Sequence, residues 1–253
     1  MYIRSTWTLF SKEMKRFMDV WTQTIGAPIV SNLLYFVLFG SLVGAQAGSE
    51  GSEAYLTILI PGLAAMALMM NAFNNPLGSI MIAKYSNSIR ELLTYPMKGW
   101  HIALAYLGAS LVRGIAVAIV TLLVGSLFTR LPFEAWIWIP VFAVLIAIIF
   151  ASFGIIVAIM AKTFDQSSMI LNFLLMPMIY LGGVFYSIKS LPEAVQIASK
   201  FNPIFYMVDG FRYGFLGTGD ANIWVSFAVT AVMAALFFAT ASWIFNTGYK
   251  LKT

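Results

Sequence analysis

The chain has 253 residues, of which 60% are hydrophobic and only 10% charged, with no cysteine and one histidine. A soluble domain carries charge on about a quarter of its residues, so most of this surface cannot face water; a soluble enzyme, a nucleic-acid binder and a disordered tail are excluded. The net charge of +5 comes without any continuous basic patch interleaved with polar residues, and the composition is that of an integral membrane protein.

Residues 1–19 mix Arg4, Lys12, Glu13, Lys15, Arg16 and Asp19 with apolar positions, which leaves no uninterrupted apolar core for a cleavable signal peptide. Ile3, Trp7, Phe10, Met14, Phe17 and Trp21 recur at alternating steps of four and three. That places them on one helical stripe, with Lys12, Lys15, Arg16 and Asp19 off it. A basic amphipathic helix over residues 1–22, with Trp and Phe on its apolar side, is expected to lie in the membrane interface. A soluble extension of the first span fits the regular stripe less well.

Residues 20–49, 54–83, 135–161, 166–188 and 221–249 contain no Asp, Glu, Lys or Arg. Each exceeds the roughly 20 apolar residues that cross a bilayer core as a helix. A further window, 99–129, is interrupted by Arg113 and holds His101 near its start. Six transmembrane helices are therefore expected, near 24–46, 54–83, 101–129, 135–161, 167–188 and 222–247. The continuous apolar runs are unlike the alternating strands of an outer-membrane barrel.

Lys and Arg set the orientation. With the amino terminus inside, the inner segments hold Arg4, Lys12, Lys15, Arg16, Lys84, Arg90, Lys98, Lys162, Lys250 and Lys252, and the outer ones only Arg130, Lys189, Lys200 and Arg212. The positive-inside rule places both termini in the cytoplasm. Glu50, Glu53, Glu134, Glu193, Asp209 and Asp220 fall outside.

Three segments differ from plain spans. The inner loop 84–99 is long and can form a short helix over 87–95 before Pro96, setting Leu92 and Leu93 beside Arg90 and Glu91. Spacing alone leaves open a docking surface for a soluble partner and a structural turn. Residues 189–220 read as two short helices, 192–200 and 203–215, the second with Ile204, Met207, Val208, Phe211 and Phe215 at helical spacing, broken by Gly210, Gly214, Gly217 and Gly219. Such segments dip into a leaflet only where protein satisfies their backbone. Asp209 and Arg212, three apart on one helix, are expected to pair; a proton-carrying role for Asp209 is the alternative. Arg113 lies about 20 Å along its helix from Gly99. A charge at that depth faces a bundle interior, a cavity or a partner helix, unless its side chain snorkels to the headgroups; a structural place at a helix interface is expected.

No GxxxxGK[ST] phosphate loop, HExxH or GxSxG occurs, and His101 stands alone, so ATP hydrolysis by that device, zinc chemistry and His-assisted serine chemistry lack their residues. The expected spans hold no carboxylate of the kind that couples a transporter to protons or sodium, and no inverted repeat relates the halves. An engine on another chain is implied.

The stretch PMIYLGGVFYSIKSLPEAVQIASKFNPIFYMVDGFR over 177–212 resembles the signature of ABC-2 type transporter permeases, and the YadH-like subgroup among them. It carries Pro177, the pair Gly182-Gly183, Leu191-Pro192, Asn202-Pro203 and Arg212; Gly182 stands where many members have Ser. The resemblance covers the whole chain as one membrane domain, 1–253, of the ABC-2 or type V exporter kind. It implies six spans, an interfacial helix at 1–22, a coupling helix in the loop 84–99 with Arg90, Glu91, Leu92 and Leu93 docking an ATPase, and short outer re-entrant helices within 189–220. It further implies a bacterial inner membrane and a second permease chain, a homodimer being expected. Two copies of a separate ATPase would carry ATP and Mg, with no cofactor or metal in this chain and no nucleic acid as partner. Carried over by span, the candidate path residues are Met66, Met70, Asn71, Phe73 and Asn74 on the second span and Phe173, Met176 and Tyr180 on the fifth. Asn71, Asn74 and Asn75 need partners or a wet cavity within an apolar span, and methionines offer a soft apolar surface; ordinary helix packing accounts for the same residue types. Pro61 and Pro76 are expected to bend the second span. The implied function is a permease subunit of an exporter for an amphipathic, lipid-linked or hydrophobic substrate; a non-transporting scaffold or sensor that docks the ATPase is the alternative.

Overall fold

The computed structural model describes residues 2–86, 88–89 and 97–250, which are helical or irregular with no strand among them. The candidate docking residues Arg90, Glu91, Leu92 and Leu93 lie outside the described residues. The helices are α1 (Tyr2–Asp19), α2 (Thr22–Val43), α3 (Glu50–Tyr85), α4 (Gly99–Gly125), α5 (Trp138–Met160), α6 (Phe164–Ile170), α7 (Met176–Leu181), α8 (Glu193–Lys200), α9 (Pro203–Leu216) and α10 (Ile223–Thr247). Among the described residues, α2, α3, α4, α5 and α10 are long and apolar enough to cross a bilayer, by length and composition.

The stretch expected as a fifth span is segmented. A π turn, Leu171–Leu175, joins α6 to α7, and the helix ends at Leu181 because Gly183 turns the chain with φ +80°. Only Gly, without a Cβ, takes that conformation at little cost. Absence of charge marked the apolar stretch; it carried no sign of where the backbone would turn. The break between α2 and α3 has a similar cause, with Gly48 at φ +76° interrupting otherwise continuous helix from Ala27 to Tyr85. Pro61 and Pro76 are accommodated inside α3; the one non-helical position of the Ala27–Tyr85 run is Gly48, ahead of α3.

Helices α3 and α5 form the centre, with most of their length buried, whereas α2 and α10 are the least covered. Association of apolar helices in lipid depends on close packing rather than on transfer from water. Gly154 on α5 illustrates this, since a Cβ there would collide with the Phe73 carbonyl on α3. Helix α9 packs against α5 in the same manner. Gly210 and Gly214 lie inside α9, where Cβ atoms would strike the Phe142 ring and Ile139. These two glycines therefore permit contact and do not break the helix; only Gly217, left-handed with φ +66°, ends it.

The aromatic stripe of α1 is divided. Trp7 and Trp21 are exposed, whereas Phe17 is buried and Phe10 rests where Gly108 of α4 leaves room. The buried face runs through Leu9, Glu13 and Phe17, at steps of four. Its centre is a carboxylate.

Candidate functional site

The buried face of α1 carries the first half of a polar cluster. Glu13 is 1% exposed and accepts from Ser79 Oγ on α3 at 2.5 Å and from Arg16 Nη2 at 2.9 Å. Arg16 Nη2 also donates to the Asn75 carbonyl at 2.6 Å and to Asn75 Oδ1 at 3.1 Å. Asn75 passes the network to α4, its Nδ2 donating to Ser110 Oγ at 3.2 Å, and Ser110 donates onward to the Tyr106 carbonyl at 2.7 Å. A buried carboxylate is tolerated when paired and hydrogen-bonded, and each of its oxygens has a donor. Glu13 and Ser79 were not singled out from sequence, whereas Asn75 was expected to need a partner or a wet cavity. The signal was present as Glu13 and Arg16 three apart, opposite Asn75 and Ser79 four apart in an apolar helix.

Arg113, midway along α4, borders this cluster. Its Nε donates to Asn71 Oδ1 at 3.3 Å and its Nη1 to Asn75 Oδ1 at 3.4 Å, and the guanidinium stands 6.0 Å from the Phe17 ring centroid. These bonds are long. A centrally placed Arg costs roughly 2.5–3.5 kcal/mol on insertion scales, which such contacts offset only in part. The group also faces a cavity of about 450 Å³ between α2, α3 and α4, lined by Met66, Met70 and Asn71 on one side and by Gln23 and Thr24 on the other. Three path candidates and the intramembrane arginine thus share one cavity. The expected structural contact at a helix interface is present, with a cavity beside it.

The remaining path candidates fall elsewhere. Phe73 is fully buried and packs on Phe153, ring centroids 5.6 Å apart, so it belongs to the α3–α5 core. Asn74 is half-buried on α3. Phe173 and Tyr180 are exposed and Met176 is half-buried along the segmented α6–α7 stretch, and none of the three lines the Arg113 cavity.

The signature residues form a clasp. Asn202 caps α9 by accepting from the Ile204 amide at 3.1 Å, and its Nδ2 reaches the Met178 carbonyl of α7 at 2.6 Å. Pro203 follows at the first helical position, where its missing N–H costs nothing. Pro177 occupies the start of α7 and Pro192 precedes α8, next to half-buried Leu191. Arg212, 5% exposed, donates to the carbonyls of Gly183 at 2.5 Å, Val184 at 3.4 Å and Tyr186 at 3.4 Å. Gly182 is buried in the same turn, and Gly62 on α3 gives it room, since a Cβ there would strike the Val184 carbonyl.

The expected Asp209–Arg212 pair is replaced by backbone partners. Asp209 accepts from the amides of Asp220 at 2.8 Å and Ala221 at 3.1 Å. Burial raises its carboxyl above the ordinary range, and those two amides pull it back. Asp220 in turn accepts from Ser187 Oγ and the Ile188 amide, both at 2.7 Å. Three neighbouring turns are tied together by charged side chains spent on main-chain groups.

The segments on either side of the 84–99 loop are anchored. Lys84 Nζ donates to the carbonyls of Ala158, Ile159 and Ala161 at 3.1, 3.0 and 2.7 Å, capping α5, which cations at a helix C-terminus favour. Tyr85 stacks on Phe164 at 5.3 Å. Where the chain re-enters, the Gly99 amide donates to Asn246 Oδ1 of α10 at 2.6 Å.

Residues 4–216 match the model of the family described as ABC-2 type transporter. The chain is 36% identical over 246 residues to the inner membrane transport permease YadH of Escherichia coli K12, covering 97% of this chain and 96% of that one. It is 23% identical over 236 residues to nodulation protein J of Rhizobium leguminosarum bv. viciae, covering 88% of each. With a family match across most of its length, a strongly similar full-length relative and an all-helical apolar fold, the chain belongs to the ABC-2 type transporter family.

Proposed function

We propose that the chain is the permease of an exporter in a bacterial inner membrane, paired with a second copy over two copies of a separate cytoplasmic ATPase that binds ATP and Mg. The observation that carries this reading is the family match over 4–216 in a chain with no phosphate loop of its own. The name of the similar Escherichia coli protein, an inner membrane transport permease, supports the compartment. The bias of Lys and Arg supports both termini inside. In this reading the α6–α7 stretch is the sixth crossing beyond the five long helices, and α8 and α9 are the outer re-entrant helices.

Met66, Met70 and Asn71 border the path on one side, with Asn74 further along α3. The exposed side chains of Phe173 and Tyr180, with half-buried Met176 between them, turn toward the second copy. Phe73, being core, is left out. The substrate is amphipathic, lipid-linked or hydrophobic, in keeping with a path of methionine, aromatic and amide groups. Arg90, Glu91, Leu92 and Leu93 form the docking surface. Their loop begins at the Lys84 clamp on α5 and ends at the Gly99 contact with α10, so a push on it would reach α3, α4, α5 and α10 together.

The test is capture and coupling. The chain alone hydrolyses no ATP, and membranes co-expressing a phosphate-loop ATPase should yield a stable complex with hydrolytic activity; failure to capture that subunit sinks the reading. Glu91→Arg should leave the chain folded while reducing substrate-stimulated hydrolysis about ten-fold or more, as reversing a charge at a docking contact does. Unchanged coupled turnover in that variant rejects the docking surface.

A further inference from the structure

We propose that the cavity beside Arg113 is a binding site for the anionic headgroup of an amphiphile, with Arg113 as its anchor; this deepens, and rests on, the reading of the chain as a transport permease. The polar cluster holds two guanidinium groups, Arg16 and Arg113, against one carboxylate, Glu13. Glu13 is taken, pairing with Arg16 at 2.9 Å and accepting from Ser79. The ion pairs among the described residues are Arg16–Glu13 and Lys189–Asp220, and Arg113 is in neither. Among the described residues no carboxylate stands within ion-pair distance of Arg113, and Glu13, the carboxylate of the same cluster, is already held by Arg16. Its hydrogen bonds, at 3.3 and 3.4 Å to two amide oxygens, are longer than those a guanidinium makes to an anion, about 2.7–2.9 Å.

The space beside it suits a headgroup. At about 450 Å³ the cavity is within the roughly 300–1,000 Å³ of small-molecule sites. Arg113, Asn71 and Gln23 line it with N–H groups, and Met66 and Met70 supply an apolar wall on the same cavity. A planar guanidinium beside amide donors is the arrangement that recognises phosphate or carboxylate oxygens.

The anion has two possible sources, a free ion or a lipid-borne group, and the surroundings favour the second. Helix α2, which walls the cavity, is barely covered, and Val30, Leu34, Val37 and Leu38 are exposed along it. In a bilayer those side chains meet acyl chains, so a ligand whose tail remains in lipid can present its headgroup to Arg113.

The experiment uses the full chain, purified in a neutral detergent and titrated with short-chain phosphatidic acid, phosphatidylcholine of the same chain length, and inorganic phosphate, with binding read by native mass spectrometry. Phosphatidic acid should bind about ten-fold or more tightly than either comparison, and Arg113→Gln should weaken it about ten- to a hundred-fold, the range for losing a charge-assisted hydrogen bond. Arg113→Lys, which keeps the charge without the fork, should fall between. If Arg113→Gln does not fold, Met70→Trp carries the test, since it fills the apolar wall with Arg113 intact and should weaken phosphatidic acid while sparing inorganic phosphate. Equal binding of phosphatidic acid and phosphatidylcholine overturns the proposal, as does unchanged binding in folded Arg113→Gln. Inorganic phosphate binding as tightly as phosphatidic acid overturns the amphiphile. ATPase capture by the wild-type chain is scored separately: lost capture with lipid selectivity intact defeats the permease reading alone, and the reverse defeats this one alone.

Discussion

Arg212 stands at the centre of the clasp, buried on α9 with three carbonyl oxygens of the 183–186 turn as its partners. Hydrogen bonds to a charged group contribute about 1.5–3 kcal/mol each, and stranded acceptors add their own desolvation cost. Arg212→Ala is therefore expected to lower the thermal midpoint sharply or to prevent accumulation of the folded chain, with Arg212→Lys intermediate because a single ammonium cannot reach all three oxygens. A thermal melt of the purified variants checks this, and an Arg212→Ala midpoint equal to wild type would show the clasp to be dispensable. The same residue shows where sequence reading stops. Asp209 and Arg212 three apart on a helix pointed to each other, yet each bonds to main chain eleven or more positions away. A backbone partner has no residue type, so it leaves no mark in composition or spacing. The neighbouring helix start at Pro203 was legible because the first helical position is a local feature.

At the scale of elements, the long helices were legible from charge alone, since a span needs nothing more than length and apolarity. Their packing partners were not. Helix α1 is the instructive case: its stripe of Trp, Phe and Met pointed to lipid, whereas its buried face carries Glu13 toward Ser79 and pairs it with Arg16. That makes α1 a part of the helix array, held by a polar contact that depends on one ionised carboxylate. Glu13→Gln keeps the shape and removes the charge, leaving Arg16 and Arg113 side by side without an anion. Breaking a buried ion pair costs about 3–5 kcal/mol. The cost here is expected toward the lower end because the Arg16 side chain keeps 30% of its exposure. Amide hydrogen exchange over residues 2–19 should accelerate in Glu13→Gln while α5 and α9 stay protected. Unchanged exchange in α1 would mean that apolar contacts through Leu9 and Phe17 suffice to hold it.

For the whole molecule, the decisive element is the segmented stretch 164–181. Its α, π and α turns follow one another without a break over eighteen residues, which at 1.5 Å per residue spans about 27 Å, close to the roughly 30 Å of a hydrocarbon core. Length therefore permits a crossing even though no single helix there is long enough, and its exposed apolar side chains Met169, Phe173, Leu174 and Leu181 suit a lipid or protein neighbour better than water. Whether both termini share one side of the membrane depends on this stretch. The chain has no cysteine, so one introduced thiol reports a single position. Lys162, just before α6, and Thr218, just after α9, are both exposed. With six crossings, a membrane-impermeant maleimide added to intact cells should label Thr218→Cys and reach Lys162→Cys only after permeabilisation. Labelling of both from outside, or of neither, would put the two positions on one side. The 164–181 stretch would then turn back within the membrane, the chain would cross five times, and the 84–99 loop and carboxyl terminus would face opposite compartments.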